Sequence, residues 1–306
     1  MIRVFGYLAG KERLREKKNG PSPDYRWNWT LLRIRICFVV ILGFILLSVF
    51  APVFSPYAFD ETQPSVKNQG VSATHFFGTD SLGRDLWTRI WMGTRISLLV
   101  GVVCAFFSQI LGTIIGCIAG YYGGYWDSAL MLLVDVCVCV PNLVYVTLIT
   151  LMIGQGLGSL IIAISLSSWM TAARMARSRM LQYQGRDFVQ SAKAYGASSW
   201  HIIFGHILPN IRGQILVEIF TAIPRAVFAE AYLSFISLGV PSPYTSLGQL
   251  CRDGMSMYRI FPYKLFIPST VLFLLILCFF ILSNDLQQFV ENKRGGGANA
   301  LLSGYQ

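Results

Sequence analysis

The sequence predicts an all-α membrane protein with six transmembrane helices and both termini in the cytoplasm. Three observations carry that expectation. Of 306 residues, 54% are hydrophobic and only 13% are charged, whereas a soluble domain carries about 25% charged residues. Mean hydropathy is +0.54. The apolar residues also gather into six stretches divided by polar segments, each close to the ~20 residues a helix needs to cross a bilayer. Nothing repeats at the 20–50-residue periods of a solenoid or propeller.

Residues 1–35 hold nine Lys or Arg, from Arg3 to Arg35, and form a basic tail held in the cytoplasm. The first span, Ile36 to Phe54, starts too late and runs too long for an ordinary signal peptide, so it is a retained helix, broken by Pro52 and Pro56. With the polar loop that follows it makes up residues 36–95. Residues 96–285 form a core of five helices. Its first span, about Ile96 to Gly120, carries small residues at four-residue spacing, Ser97, Gly101, Gly112, Gly116 and Gly120, which let another helix approach closely. A tight turn leads to a span over about Ala129 to Ile153, containing Asp135 and Pro141. A glycine-rich hairpin leads to another over about Leu160 to Met175. The last two are about Ile215 to Ile236 and Leu265 to Leu282, and residues 286–306 form a cytoplasmic tail.

The basic residues test the orientation. Seventeen fall on segments assigned to the cytoplasm and seven on external loops, as the positive-inside rule requires. The net charge of +10 therefore reports topology and anionic lipid, not nucleic acid. Six of the seven cysteines fall in apolar stretches and Cys251 in an external loop, so they read as packing residues and not as a disulfide framework.

Between the fourth and fifth spans lies a polar, helix-forming island, Asp187 to Pro209. Asp187 with Gln190 reads as an N-cap with its capping-box partner, and Gly196 stands where a helix end wants a residue tolerant of positive φ. Ser198 or Ser199 caps a second short helix that Pro209 limits. Two small helices on the membrane surface, joined at Gly196, are expected. Phe188, Ala192 and Tyr195 fall on one face of the first, suited either to docking a partner or to an interfacial aromatic belt.

Charges inside spans are costly and point to function or to pairing between helices. Asp135, Glu218, Arg225 and Glu230 are such charges. Arg225 and Glu230, five apart, point to different sides of one helix, so each is expected to face another helix or an aqueous pathway.

Several stretches resemble the permeases of binding-protein-dependent ABC importers. The island matches the spacing of their EAA loop, with Gln190, Ser191 and Ala192, then Gly196, then His206, Leu208 and Pro209. FGTDSLGRDLWTRIWMGTRISL (Phe77 to Leu98) is similar to the G-T-D-x-x-G-R-D segment of their peptide and nickel branch. APVFSPY (Ala51 to Tyr57), GYYGGYWDSALMLLVDVCVCVP and AEAYLSFISLGVPSP (Ala229 to Pro243) are similar to further segments of that branch, whose C-type subunit has a long first external loop. The resemblance implies a type I importer fold in the bacterial inner membrane and a heterodimer with a second, B-type permease subunit. It also implies two cytoplasmic ABC ATPases and an extracytoplasmic substrate-binding protein. Asp187, Phe188, Gln190, Ser191, Ala192, Tyr195, Gly196, Leu208 and Pro209 are then the residues coupled to the ATPases, with Asp135, Arg225 and Glu230 as pathway or interhelical charges.

The chain has no G-x-x-x-x-G-K-[ST] to cradle phosphate, so ATP and Mg are expected on the partner ATPases and no cofactor or metal on this chain. Peptide is favoured over nickel as the solute. A secondary transporter or channel would leave the island unexplained and shows no inverted repeat. An intramembrane enzyme would need chemistry that His75, His201 and His206 do not supply, since neither H-E-x-x-H nor G-x-S-x-G is present.

Overall fold

A computed structural model describes the backbone of residues 23–303 and the side chains of residues 29–290. Most of the basic tail, residues 1–22, and the last three residues lie outside the described residues. Among the described residues all extended regular structure is helical, apart from one isolated bridge between Thr79 and Asp85.

Helix α1 spans Pro23–Phe54, starting thirteen residues before the expected Ile36 because no breaker follows Pro23 and proline suits a first helical position. Helix α2, Leu86–Tyr122, likewise starts ten residues before Ile96. The G-T-D-x-x-G-R-D stretch explains why. Asp85 accepts from the Thr88 N–H and hydroxyl, both at 2.9 Å, and pairs with His75 Nδ1 at 2.9 Å, so it is the N-cap of α2. Asp80 accepts from the N–H of Leu82 and of Arg84 and from Arg84 Nε. The motif is thus a closed polar knot that starts a helix.

The third expected span is corrected. Residues 129–153 do not form one helix but belong to α3, Gly124–Cys139, and α4, Asn142–Ile153, which meet at 91°. Pro141 has no N–H for a helical bond, and it drives Val140 to an extended φ of −80° and ψ of 126°. Helix α5, Leu157–Gln184, runs nine residues past the expected Met175 and carries Arg174, Arg177 and Arg179 within it. Three further helices follow the island: α7, Leu208–Phe235; α8, Leu247–Ser256; and α9, Tyr263–Ser303. Helix α8 replaces an expected external loop, and Cys251 is buried within it. The seven cysteines are free thiols.

Among the described residues four helices, α1, α2, α5 and α9, are long and apolar enough to cross a membrane, and the bent α3–α4 pair is a fifth if it is counted as one span. Helix α7 is 28 residues long but is broken in character by Arg212, Glu218, Arg225 and Glu230. In α2 and α5, 44% and 56% of the most apolar stretch is buried, against 22% in α1 and α9, so the first two form the centre. The glycine row makes this packing possible. A Cβ at Gly116 would stand 2.2 Å from the Ala173 carbonyl oxygen and 2.8 Å from the Ala176 Cβ, so only hydrogen fits between α2 and α5. Helices α1 and α9 lie together at the side, tied by Arg33 Nη2 and Asp285 Oδ1 at 2.8 Å.

Candidate functional site

The island opens on α6, Asp187–Ala194. Here one expectation fails. The N-cap is Arg186, with extended backbone and no side-chain bond, and Asp187 is the first helical residue. Its carboxylate acts on the positive end of the helix. Gln190 does not reach back to it, and instead donates from Nε2 to the Gln184 carbonyl at 3.0 Å. The expected stop is present. Gly196 has φ of +79°, its N–H bonds the Lys193 carbonyl, and the Ala197 N–H bonds the Ala192 carbonyl, each at 3.0 Å. This pair of bonds is a Schellman motif, in which glycine adopts the left-handed conformation without penalty.

The second helix starts as expected, with Ser198 Oγ accepting from the His201 N–H at 3.3 Å. It does not stop at Pro209. His201–Ile207 is a π-helix that continues directly into α7. In a regular helix Pro209 would clash with the carbonyl of Gly205 and remove its partner. The wider turn avoids that conflict, and it brings His201 and His206, five apart, to 5.2 Å between ring centroids. The Asn210 side chain donates to the His206 carbonyl at 2.6 Å.

Two faces result. Val189 is 0% exposed and packs with Ile202, Ile203, Ile207 and Ile211 of the following segment, Met180 of α5 and Cys117 of α2. Ala192 leans toward the same cluster, so it does not share an outer face with Phe188 and Tyr195 as the spacing suggested. Tyr195 is 92% exposed and Phe188 lies outward beside the Tyr183 ring. Asp187, Gln190, Ser191, Gly196 and Pro209 are exposed, and Leu208 is half-buried. Trp200 and Phe204 stack at 5.5 Å and are also exposed. Val189 is the residue that sequence reasoning missed. Its signal was an i, i+3 apolar pair, Val189 with Ala192.

The charges inside the helices resolve differently from one another. Asp135 of α3 accepts from Arg174 Nη2 of α5 at 2.6 Å, and Asp127 of α3 takes a two-point bond from Arg177 of α5. Glu230 is 0% exposed, accepting from Ser97 Oγ of α2 and Ser234 Oγ of its own helix, both at 2.7 Å. Ser97 Oγ in turn accepts from the Leu247 N–H of α8 at 3.4 Å. Glu230 thus joins three helices and does not open to solvent here. Arg225 and Glu230 do not pair, as their spacing required. Arg225 Nη2 instead donates to Glu218 Oε1 at 2.8 Å, two turns back on the same helix.

Residues 112–294 match the family of the binding-protein-dependent transport system inner membrane component. The chain belongs to that family. The matched stretch of this transport-system inner membrane component holds the island, α7 and the Asp127, Asp135 and Glu218–Arg225 pairs. The chain is 34% identical to the oligopeptide transport system permease protein OppC of Bacillus subtilis, over 87% of this chain and 90% of that protein. It is 36% identical to the dipeptide transport system permease protein DppC of the same organism, over 83% of this chain and 80% of that protein. With DppC of Lactococcus lactis the identity is 41%, over 74% and 67%. Among solved structures, the inward-facing MetNI methionine ABC transporter superposes with a TM-score of 0.53 at 18% identity, over 66% of this chain and 96% of that one. That likeness concerns the fold of the inner membrane component.

Proposed function

We propose that this chain is the C-type membrane-spanning subunit of an ATP-driven importer, carrying di- and oligopeptides handed over by an extracytoplasmic binding protein. Its identity to oligopeptide and dipeptide permeases over most of its length supports the substrate class. The observation that carries the mechanism is the two-faced α6. Val189 anchors it to the bundle while Phe188, Ser191 and Tyr195 are left outward. A helix held on one side and bare on the other is suited to a groove on an ATPase. Gly196 fixes its angle to the segment that becomes α7.

ATP and Mg belong on two partner ATPases, and a B-type permease completes the passage. Six end-to-end passages, counting α3 with α4 and including α7, are supported by the ends of the elements. Gln184 Nε2 bonds the Tyr121 carbonyl beside the island, whereas Tyr263 and Lys264 bond Gln69 and Asn68 at the far end. The basic-residue count favours a cytoplasmic island and an inner-membrane location. The test is copurification with the ATPases, the second permease and the binding protein, followed by peptide uptake in proteoliposomes. ATP-dependent uptake is expected. A stable complex that recovers no ATPase, or one that takes up no peptide, overturns the proposal.

A further inference from the structure

Helix α7 carries four charged residues, Arg212, Glu218, Arg225 and Glu230, and two of them pair with each other. Glu218 and Arg225 stand seven residues apart in the body of the continuous helix that runs from His201 to Phe235. Among the described residues the other ion pairs of the long helices link two elements: Arg33 to Asp285 joins α1 to α9, and Arg174 and Arg177 join α5 to α3. Glu218 and Arg225 lie two turns apart on one helix and link nothing. Nor are they enclosed, since the Arg225 side chain is 50% exposed and that of Glu218 21%. Phe228 and Tyr232 continue the same uncovered stripe, while Ile223, Val227 and Glu230 are buried on the other side, Glu230 bonding α2. Charged side chains on a helix within the bundle are costly against lipid, so their uncovered side suits a water-filled passage.

We infer that this pair is a site for the two ends of a zwitterionic peptide, Arg225 taking the terminal carboxylate and Glu218 the terminal ammonium. The inference rests on the peptide-import reading and names the residues that would recognise the cargo. Charge complementarity carries it. When the peptide enters, each side chain exchanges one opposite charge for another, so neither is left unpaired in a site of low dielectric. Arg225 suits the carboxylate because its planar guanidinium can offer two parallel donors. Seven residues of helix rise about 10.5 Å, comparable with an extended peptide of about three residues at ~3.3–3.6 Å each. Pro224 removes a backbone bond between the two charges and loosens the helix where they must separate. The polarity follows: the carboxyl end lies toward the far end of the bundle and the amino end toward the island.

The test uses the complete complex in proteoliposomes, with the binding protein saturated by a labelled tripeptide, its C-terminal amide or its N-acetyl form. The wild-type complex is expected to move the free tripeptide about tenfold or more faster than either blocked form, the discrimination of a charge-assisted bond. Arg225→Gln should erase the preference over the amide and keep that over the N-acetyl form, Glu218→Gln should do the reverse, and Arg225→Lys should keep part of the first. The double exchange Glu218→Arg with Arg225→Glu keeps an ion pair and hence assembly, and uptake should fall about tenfold or more. Single variants that keep both preferences, or a double exchange that transports at the wild-type rate, overturn this inference while leaving peptide import intact. If single variants do not assemble, the double exchange decides. A wild-type complex that takes up none of the three peptides sinks the import reading itself.

Discussion

The elbow at Gly196 can be tested by a graded series, because its surroundings separate backbone strain from crowding. A Cβ placed there meets no heavy atom within 4 Å, so any effect of substitution comes from φ of +79°. Holding an L residue in that region costs about 1–2 kcal/mol, more for a β-branched residue and little for asparagine. Leaving it breaks the Gly196–Lys193 and Ala197–Ala192 bonds, each worth about 0.5–1.5 kcal/mol net. The chain takes the smaller loss, so Gly196→Val is expected to weaken the elbow by about 1–3 kcal/mol, roughly 5- to 150-fold in its population. Gly196→Ala should fall near the lower bound and Gly196→Asn close to wild type. Transport and ATP hydrolysis measured together on the reconstituted complex provide the assay. Peptide moved per ATP should fall in the order Asn, Ala, Val, with subunit recovery unchanged. Normal coupling in the valine variant, or an asparagine variant as damaged as valine, would refute the argument from φ.

Tyr195→Ala should leave the thermal stability of the isolated subunit unchanged, since the ring is bare, yet weaken ATPase association by about 1–3 kcal/mol, a hot-spot loss. Pull-down at graded ATPase concentration measures it, and equal recovery of wild type and variant would count against docking through this face. Gly116→Val puts methyl groups where a Cβ already stands 2.2 Å from the Ala173 carbonyl oxygen. It should destabilise the α2–α5 contact by about 1–3 kcal/mol or more, read as a lowered Tm in detergent; an unchanged Tm would contradict the close approach. Glu230→Ala strands the hydroxyls of Ser97 and Ser234 and should cost about 1–3 kcal/mol, while Glu230→Gln keeps one acceptor oxygen, turns an N–H donor to the other hydroxyl, and should cost less. Equal Tm values for the two would deny the hydroxyl bonds. Deleting Gly205 converts the π turn to a regular one and rotates α6 by about 100° relative to α7. It should abolish coupled uptake, and a fully coupled deletion variant would show that the registry is unimportant.

What could be read from the sequence was whatever depends on local chemistry. Gly196 declared its conformation, Ser198 or Ser199 the cap, and the four-residue spacing of Gly112, Gly116 and Gly120 a close helix contact, since each follows from residue type and period alone. The 91° bend was half legible. Pro141 was visible, but whether a proline kinks a helix or divides it depends on what the freed ends pack against. Asp187 misled because capping depends on which residue takes extended backbone, and that boundary is set one residue earlier at Arg186. Glu218 with Arg225 was open to inspection at two-turn spacing, while Arg174 with Asp135 and Ser97 with Glu230 join residues far apart in the chain and needed the fold. Pro209 misled most, because the usual rule ends a helix there and a π turn upstream removes the clash that justifies the rule.

That last difference changes how motion at the island reaches the rest of the bundle. Had Pro209 closed a separate surface helix, a flexible joint would have stood between the island and α7, and displacement of α6 would have been absorbed there. The chain instead stays helical from His201 through Phe235. Val189 grips that continuous segment at Ile202, Ile203 and Ile207, so α6 and the head of α7 move together. Further along the same helix stand the Glu218–Arg225 pair and then Glu230, which holds α2 and, through Ser97, α8. A tilt imposed at Tyr195 therefore acts on the Glu218–Arg225 pair and on the Glu230 contacts through one continuous helix. The softest point along it is Pro224, one residue from Arg225, so bending is concentrated beside the Glu218–Arg225 pair.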